Sequence, residues 1–140
     1  MKIKFTIPGE PCGKGRPRFD GRTGRTYTPA KTRNYEEYGR NQYEWQCGGQ
    51  QFPAGVPLKM TVTAYFKMPE SASRPKKAEM RFGIVRPTKK PDADNVLKAC
   101  ADMLNGATYH DDSQIVEATV RKFFGDDPRV EIEIEEVRHE

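Results

Sequence analysis

Two pairs of aspartates are the residues of this chain best suited to chemistry. Asp92 and Asp94 lie one residue apart in the stretch "KKPDADNVLKACADMLNG", and Asp111 and Asp112 follow in "YHDDSQIV". Carboxylates brought together repel one another unless a cation joins them, and Mg²⁺ prefers hard oxygen ligands of this kind. If the chain doubles back after the first stretch, one member of the second pair can reach the first pair. The pattern then predicts a magnesium site.

Lys98 adds a positive group to this arrangement. Lys98 and Asp102 follow Asp94 at intervals of four, which places the three side chains on one face of a predicted helix. A bound metal ion can deprotonate water and polarise a phosphodiester, and a nearby ammonium can stabilise charge on the phosphate. These are the requirements of a nuclease. A structural interpretation stays open here, because aspartate is a common N-cap and the three side chains could form an exposed ladder of ion pairs.

Positive charge is concentrated in two segments. The 140 residues carry 24 bases and 20 acids, a net charge of +4, which favours an anionic partner without identifying it. Ten of the bases fall in residues 1–40 and eight in residues 67–90, with few acids beside them. We predict that these segments contact the phosphates of such a partner, which makes the candidate nucleic-acid-binding residues Lys14, Arg16, Arg18, Arg22, Lys76, Lys77, Lys89 and Lys90.

Other chemistry is disfavoured. Cys12, Cys47 and Cys100 lie far apart without CxxC spacing, which argues against a disulfide framework or a zinc finger and fits a reducing compartment. His110 and His139 are isolated, so a histidine-based mechanism is not predicted. The chain has neither the apolar core of a signal peptide nor a run near the ~20 apolar residues of a membrane span. We therefore expect a cytoplasmic protein with no membrane partner.

The elements that must position these residues follow from local patterns. Alternation predicts strands over 2–7, 58–67, 115–125 and 129–137, the last two forming an antiparallel hairpin. Asp20-Gly21 favours a turn within a basic loop. One helix is predicted to start with Thr28 as N-cap and Pro29 as first residue and to stop at Gly48, and a second to start with Asp94 as N-cap and end before Gly106.

The remaining segments complete the predicted fold. Four aromatic residues of the first helix have the spacing of core residues; they are Tyr35, Tyr38, Tyr43 and Trp45. Cys100 lies on the apolar face of the second helix and is also predicted to be in the core. Residues 69–90 hold three prolines and little periodicity, which predicts a loop or partly ordered flap. We expect a single α+β domain over residues 1–140, with a mixed β-sheet, two main helices and a C-terminal hairpin.

Taken together, these motifs resemble the RusA family of Holliday junction resolvases. The family pattern is D-x-D-N-x-x-K, a helix, then D-D-x-Q, and "GKGRPRF" and "TYTPAKTRNYE" near the N-terminus also look like segments of many members. The positions that match the pattern are Asp92, Asp94, Asn95, Lys98, Asp111, Asp112 and Gln114.

The resemblance implies a function and a site. Family members are homodimeric, Mg²⁺-dependent endonucleases, common in prophages, that resolve four-way DNA junctions by paired nicks in recombination and repair, with Mn²⁺ as a substitute ion. Carried over, Asp92, Asp94 and Asp112 hold the metal and Lys98 assists the phosphodiester chemistry. Asp111 tunes the site or binds outer-shell water. The implied partners are branched DNA and a second copy of the chain, with no small-molecule substrate.

Several other functions stay open. They are a non-catalytic DNA-binding module, a metal-responsive regulator without hydrolytic activity, and a metal-dependent nuclease for other branched DNA. A restriction-like nuclease is disfavoured because the expected strand carrying (D/E)xK is absent. Lys98 together with three aspartates favours the nuclease, because a pure binder gains nothing by placing carboxylates where phosphates must approach.

Overall fold

The computed structural model describes residues 1–137, which form a four-stranded mixed β-sheet, a small two-stranded sheet and three helices. The strands are β1 (Lys2–Pro8), β2 (Arg18–Asp20), β3 (Arg25–Tyr27), β4 (Leu58–Lys67), β5 (Ile115–Gly125) and β6 (Arg129–Glu136). The helices are α1 (Ala30–Cys47), α2 (Arg74–Arg81) and α3 (Ala93–Leu104), with a 3₁₀ turn at Asp112–Gln114. The predicted α+β class with a mixed sheet is confirmed.

The main sheet has the order β1-β6-β4-β5. β6 runs antiparallel to both of its neighbours, whereas β4 and β5 are parallel. The small sheet, β2 with β3, is the predicted hairpin around Asp20-Gly21. We refer to residues 18–27 as the ribbon. Because β5 follows α3 and lies parallel to β4, the path from β4 through α3 to β5 is a crossover that lays α3 on the sheet.

Alternation along the strands determines which face is buried. On β4, Leu58, Met60, Val62, Ala64 and Phe66 are all buried, as predicted. They pack with alternate residues of β1 and β6 and with the apolar face of α3, where Cys100 is buried as predicted. One core therefore lies between the sheet and the helices.

A close contact holds α1 against α3. Gly39 of α1 is buried, and a Cβ built there would lie 2.2 Å from Met103 Sδ and 3.0 Å from Ile7 Cδ1. The glycine weakens helix propensity, yet it lets α1 approach α3 and β1. This contact sets the position of α3, which carries Asp94 and Lys98 and begins directly after Asp92.

Four local expectations are corrected by the structure. Residues 69–90 were predicted to form a loop, but Arg74–Arg81 is helical because the Ser73 side chain caps it, accepting a hydrogen bond from the Lys76 N–H. Pro29 is the N-cap of α1 rather than its first residue, since its backbone is extended. Trp45 is 83% exposed and Tyr38 41% exposed, so neither is core.

The fourth correction concerns the C-terminal strands. β5 and β6 run antiparallel and are joined by a short turn, as the predicted hairpin requires, but β4 lies between them. β5 and β6 therefore do not pair with each other, and each pairs with one edge of β4. No helix within residues 1–137 is long and apolar enough to cross a membrane.

Candidate active site

The start of α3 presents the first pair of aspartates to solvent. Asp92, not Asp94 as predicted, is the N-cap, because its extended backbone (φ −66°, ψ 157°) precedes the first helical residue. Its carboxylate forms no capping hydrogen bond with the helix. Asp94 lies in the first turn and Lys98 one turn later, and both side chains are exposed. The fold leaves all three groups available for other ligands.

The side-chain contacts that a structural role for these residues would predict are not formed within residues 1–137. A helix-capping aspartate should accept a backbone N–H through its side chain, and Asp92 does not. A ladder of ion pairs should join Lys98 to Asp94 and Asp102, yet no salt bridge forms between them in the part of the chain that is described. Asp102 pairs instead with Lys14, at 3.2 Å between its Oδ2 and the lysine Nζ.

The second pair of aspartates divides between two roles. Asp111 caps the 3₁₀ turn, and its carboxylate accepts hydrogen bonds from the Ser113 N–H and hydroxyl. These bonds hold the pKa of Asp111 below its usual value. Asp112 follows within the turn, half-buried, and its carboxylate has no hydrogen-bond or ion-pair partner among residues 1–137.

Gln114 makes this turn rigid. It is buried, and its side-chain oxygen accepts hydrogen bonds from the backbone N–H groups of His110 and Asp111, at 3.0 and 3.1 Å. Its amide nitrogen donates to the carbonyl oxygens of Pro53 and Val56, each at 3.0 Å. The amide of this motif residue is therefore used to fix the turn beside Asp112.

Tyr109 attaches the turn to α3. Its buried hydroxyl donates to the carbonyl oxygen of Ala101, at 2.5 Å. Burial raises the pKa of Tyr109 above its usual value, and the negative charge of Asp112 adds to the shift. The hydrogen bond to Ala101 joins the turn to the second half of α3, and the predicted approach of Asp112 to Asp92 and Asp94 at the helix start stays a prediction.

The described residues do not form a complete metal site. Across the described range, no group of three or more His, Cys, Asp or Glu side chains is placed to hold a metal ion. The convergence of Asp92, Asp94 and Asp112 on one ion therefore stays a prediction. Their chemistry fits Mg²⁺, because the three are hard oxygen donors whose carboxylates are not used by the fold.

A basic cleft opens beside Asp92. Its volume is about 620 Å³. The predicted DNA-contacting residues Lys14, Arg16 and Lys90 are part of its lining. The full lining consists of Pro11, Gly13, Lys14, Arg16, Lys31, Lys90, Pro91, Asp92 and Asn95. Arg18 and Arg22 lie on the ribbon, Lys76 and Lys77 on α2, and Lys89 just before Lys90. The basic residues are therefore distributed over four parts of the chain, and in the cleft some of them lie beside Asp92, one of the predicted metal ligands.

Lys14 has a role that linear spacing could not predict. Its Nζ lies 2.5 Å from Glu36 Oε1 on α1 and 3.2 Å from Asp102 Oδ2 on α3, and the side chain is only 16% exposed. Its backbone N–H donates to the carbonyl oxygen of Asn95 at 3.2 Å. The residue joins α1, α3 and the N-terminal segment, and no sequence signal connects three positions so far apart.

Gly13 brings the same segment, residues 11–16, close to α3. We call this segment the strap. A Cβ at Gly13 would lie 2.8 Å from Pro91 Cβ and 3.2 Å from Asn95 Cβ, and the Gly15 N–H donates to the buried Thr32 hydroxyl at 3.0 Å. The strap therefore packs against the residues that flank Asp92.

A basic cleft lined by the unpaired carboxylate of Asp92, with Asp94 and Lys98 exposed on the helix that starts there, has the composition of a phosphodiester hydrolase. The model of the RusA endodeoxyribonuclease family matches residues 8–135, and the chain belongs to that family. It is 32% identical over 114 residues to the crossover junction endodeoxyribonuclease rusA of Lactococcus phage r1t, covering 76% of this chain and 80% of that protein. The predicted family, and with it the predicted class of enzyme, is confirmed.

A second relative extends over nearly the whole chain. The uncharacterized protein YqaN of Bacillus subtilis (strain 168) is 42% identical over 142 residues, covering 96% of each chain. The likeness therefore includes the strap, the ribbon and the C-terminal strands as well as the motif.

Proposed function

We propose that this protein resolves four-way DNA junctions, as a metal-dependent homodimer that makes paired nicks in recombination and repair. The observation that carries the proposal is that Asp92, Asp94, Lys98 and Asp112 have no partner among residues 1–137, whereas their neighbours in the motif are used by the fold. The name of the phage relative, a crossover junction endodeoxyribonuclease, supports the choice of substrate. The proposed location is the cytoplasm, where DNA is accessible.

The proposed ligands are Asp92, Asp94 and Asp112. Together they would hold Mg²⁺, or Mn²⁺ in its place, and the bound ion would supply an activated water and neutralise charge on the scissile phosphate. Lys98 is exposed on the same helix as Asp94, and its proposed role is to hold a phosphate oxygen through its ammonium. Within residues 1–137 these three carboxylates are not close enough together to form a metal site. This is compatible with a site that is completed only when a DNA phosphate binds.

The basic surfaces serve binding rather than chemistry. Arg16 and Lys90 line the cleft at Asp92, and Arg18 and Arg22 extend the positive surface along the ribbon. Contacts of this kind to phosphates are independent of sequence and sensitive to salt. Lys14, which the fold neutralises with Glu36 and Asp102, is excluded from this set in our proposal.

The test is cleavage of an immobile four-way junction and of a linear duplex containing the same sequence, each end-labelled, with Mg²⁺. We expect symmetric nicks in two opposed strands of the junction and little cutting of the duplex. Asp112→Asn should lose cleavage by at least about a thousandfold while junction binding stays intact or tightens, because a negative charge near the phosphates is removed.

The matched control is Asp111→Asn. Asparagine can accept the same hydrogen bonds from Ser113, so this variant should fold and cleave much like the parent protein. Equal losses of cleavage in the two variants would contradict the division of roles between the paired aspartates. Junction binding without any cleavage in the parent protein, at any Mg²⁺ or Mn²⁺ concentration, would favour a non-catalytic DNA-binding module.

A further inference from the structure

Two large apolar side chains project into solvent directly after α2. Phe82 is 83% exposed and Ile84 72% exposed, with Gly83 between them. We call Phe82–Ile84 the apolar tip. Nothing within residues 1–137 covers these side chains, so they contribute little to the core, and exposing two such side chains together is unfavourable in water.

The apolar tip is held in place by its backbone. The N–H groups of Phe82 and Gly83 donate to the carbonyl oxygens of Ala78 and Met80, at 3.1 Å each, and the N–H of Ile84 donates to that of Glu79 at 2.9 Å. Met80 is buried, which anchors the end of α2. The exposed side chains are therefore carried by an ordered turn.

A layered stack of aromatic rings and guanidinium groups lies beside the tip. Tyr65 and Phe123 are stacked with ring centroids 5.8 Å apart. The Arg86 guanidinium carbon lies 4.1 Å from the Phe123 centroid, and that of Arg129 lies 3.9 Å from the Tyr65 centroid. Phe82, Tyr65 and Phe123 also line a small cavity of about 180 Å³. The tip is therefore flanked by a packed stack of rings and guanidinium groups, and Phe82 and Ile84 are the apolar side chains left exposed beside it.

Residues 85–91 connect the tip to Asp92 in the candidate active site. Arg86 Nε donates to the Lys122 carbonyl oxygen at 2.8 Å, and Lys122 Nζ donates to the Lys89 carbonyl oxygen at 2.7 Å. Lys90, Pro91 and Asp92 follow in sequence. The tip and the proposed ligand Asp92 are thus joined by a short segment that is attached to β5 at two points.

We propose that the apolar tip binds unstacked bases at the branch point of a DNA junction. This proposal rests on the proposed function and adds to it the feature that distinguishes a junction from a duplex. Bases at a branch point are easier to unstack than bases within a helix, and apolar side chains inserted at such steps are stabilised by the base faces. The occupant is nucleic acid, because the segment around the tip is basic; its cations include Arg74, Lys76, Lys77, Arg86, Lys89 and Lys90.

The experiment measures binding in the absence of cleavage, with divalent metal chelated. Fluorescence anisotropy gives the Kd of the intact chain for an immobile four-way junction and for a linear duplex of equal length. 2-Aminopurine placed at the branch point reports unstacking. The variant is Phe82→Ala/Ile84→Ala, and the matched control is Trp45→Ala, which removes an aromatic side chain equally exposed on α1.

We expect the double variant to bind the junction about ten- to a hundredfold more weakly and the duplex with unchanged Kd, because phosphate contacts remain. The 2-aminopurine signal on binding should also fall. Trp45→Ala should match the parent protein in all three measurements.

Two outcomes would overturn the proposal while leaving the resolvase function intact. One is a double variant that keeps the junction preference of the parent protein. The other is a double variant whose weaker binding follows entirely from dissociation of the dimer, seen by sedimentation, which would make the tip an interface between copies of the chain. A parent protein with no preference for the junction would overturn both this proposal and the proposed function.

Discussion

Neighbouring residues of the aspartate motif perform different tasks although they look equivalent in sequence. Asp111 and Gln114 are used to build the turn, whereas Asp112 between them has a free carboxylate. The same division separates Asp102, which pairs with Lys14, from Asp94 on the same helix. Neither carboxylate is used in a hydrogen bond or ion pair within residues 1–137, which leaves both free to bind the proposed metal ion.

At this scale the clearest prediction concerns Lys14. Lys14→Met keeps the aliphatic stem but leaves the carboxylates of Glu36 and Asp102 facing one another without a cation. We expect the free energy of unfolding to fall by about 1–3 kcal/mol, between the values for exposed and fully buried pairs. Lys31→Met, an exposed lysine of the same cleft, is the control and should unfold like the parent protein. Urea denaturation measures both.

The pH dependence of stability gives an independent test of the same network. Burial lowers the pKa of Lys14, but hydrogen bonds and charges from Glu36 and Asp102 outweigh it and raise the pKa above 10.5. The stabilisation is therefore fully present below the unfolded pKa and is lost as pH rises through the folded pKa. Relative to Lys31→Met, the Lys14→Met variant should lack this alkaline decline. A decline of equal size in both variants would show that the network does not contribute.

At the scale of elements, α3 is positioned from two sides. α1 approaches it at Gly39, and the strap crosses its start at Gly13. The turn that carries Asp112 is attached to the same helix through Tyr109 and Ala101. The relative positions of the candidate site residues therefore depend on how the strap and the turn pack against α3.

The matching prediction is that Gly13→Ala lowers the cleavage rate more than it lowers junction affinity. A Cβ 2.8 Å from Pro91 Cβ requires the strap or the start of α3 to move, which displaces Asp92, while the basic surfaces stay on the protein. Single-turnover cleavage at saturating protein should fall about tenfold or more. Gly21→Ala, where a Cβ meets nothing within 4 Å, should leave the rate unchanged. Equal rates in the two variants would show that the strap does not position the site.

At the scale of the whole molecule, each chain has one set of proposed ligands. A four-way junction has approximate two-fold symmetry, and two ligatable duplexes result only if two opposed strands are nicked at matched positions. One chain with one site cannot do this in a single binding event, which is the reason for proposing a homodimer.

Mixed dimers test this symmetry. A dimer of one parent chain and one Asp112→Asn chain should nick one strand at close to the normal rate and fail to complete resolution, because each site acts on its own phosphodiester. On a supercoiled cruciform plasmid, the expected product is nicked circles instead of linear DNA, which gel electrophoresis separates. Linear product formed at the parental rate, or a monomer on the junction, would contradict the symmetric mechanism.

Local patterns in the sequence were sufficient to predict β1, β4, β5, β6 and the end of α3 before Gly106. Strand alternation and the C-terminal end of a helix depend on residues a few positions apart, so both can be predicted without knowledge of the tertiary structure. The motif that identified the family is local in the same sense, since all its members fall between Asp92 and Gln114. The helix at 74–81 was missed because its cap, Ser73, lies in a charged segment rich in proline with little apolar periodicity.

The tertiary structure alone decided which of the polar motif residues are used by the fold. Lys14, Glu36 and Asp102 meet only because α1, α3 and the strap pack together, and β4 comes to lie between β5 and β6 through pairing of distant segments. Such contacts depend on the packing of whole elements against one core, and no spacing in the sequence encodes them. The sequence thus determined the chemistry that the site can contain, and the packing determined which carboxylates remain free to perform it.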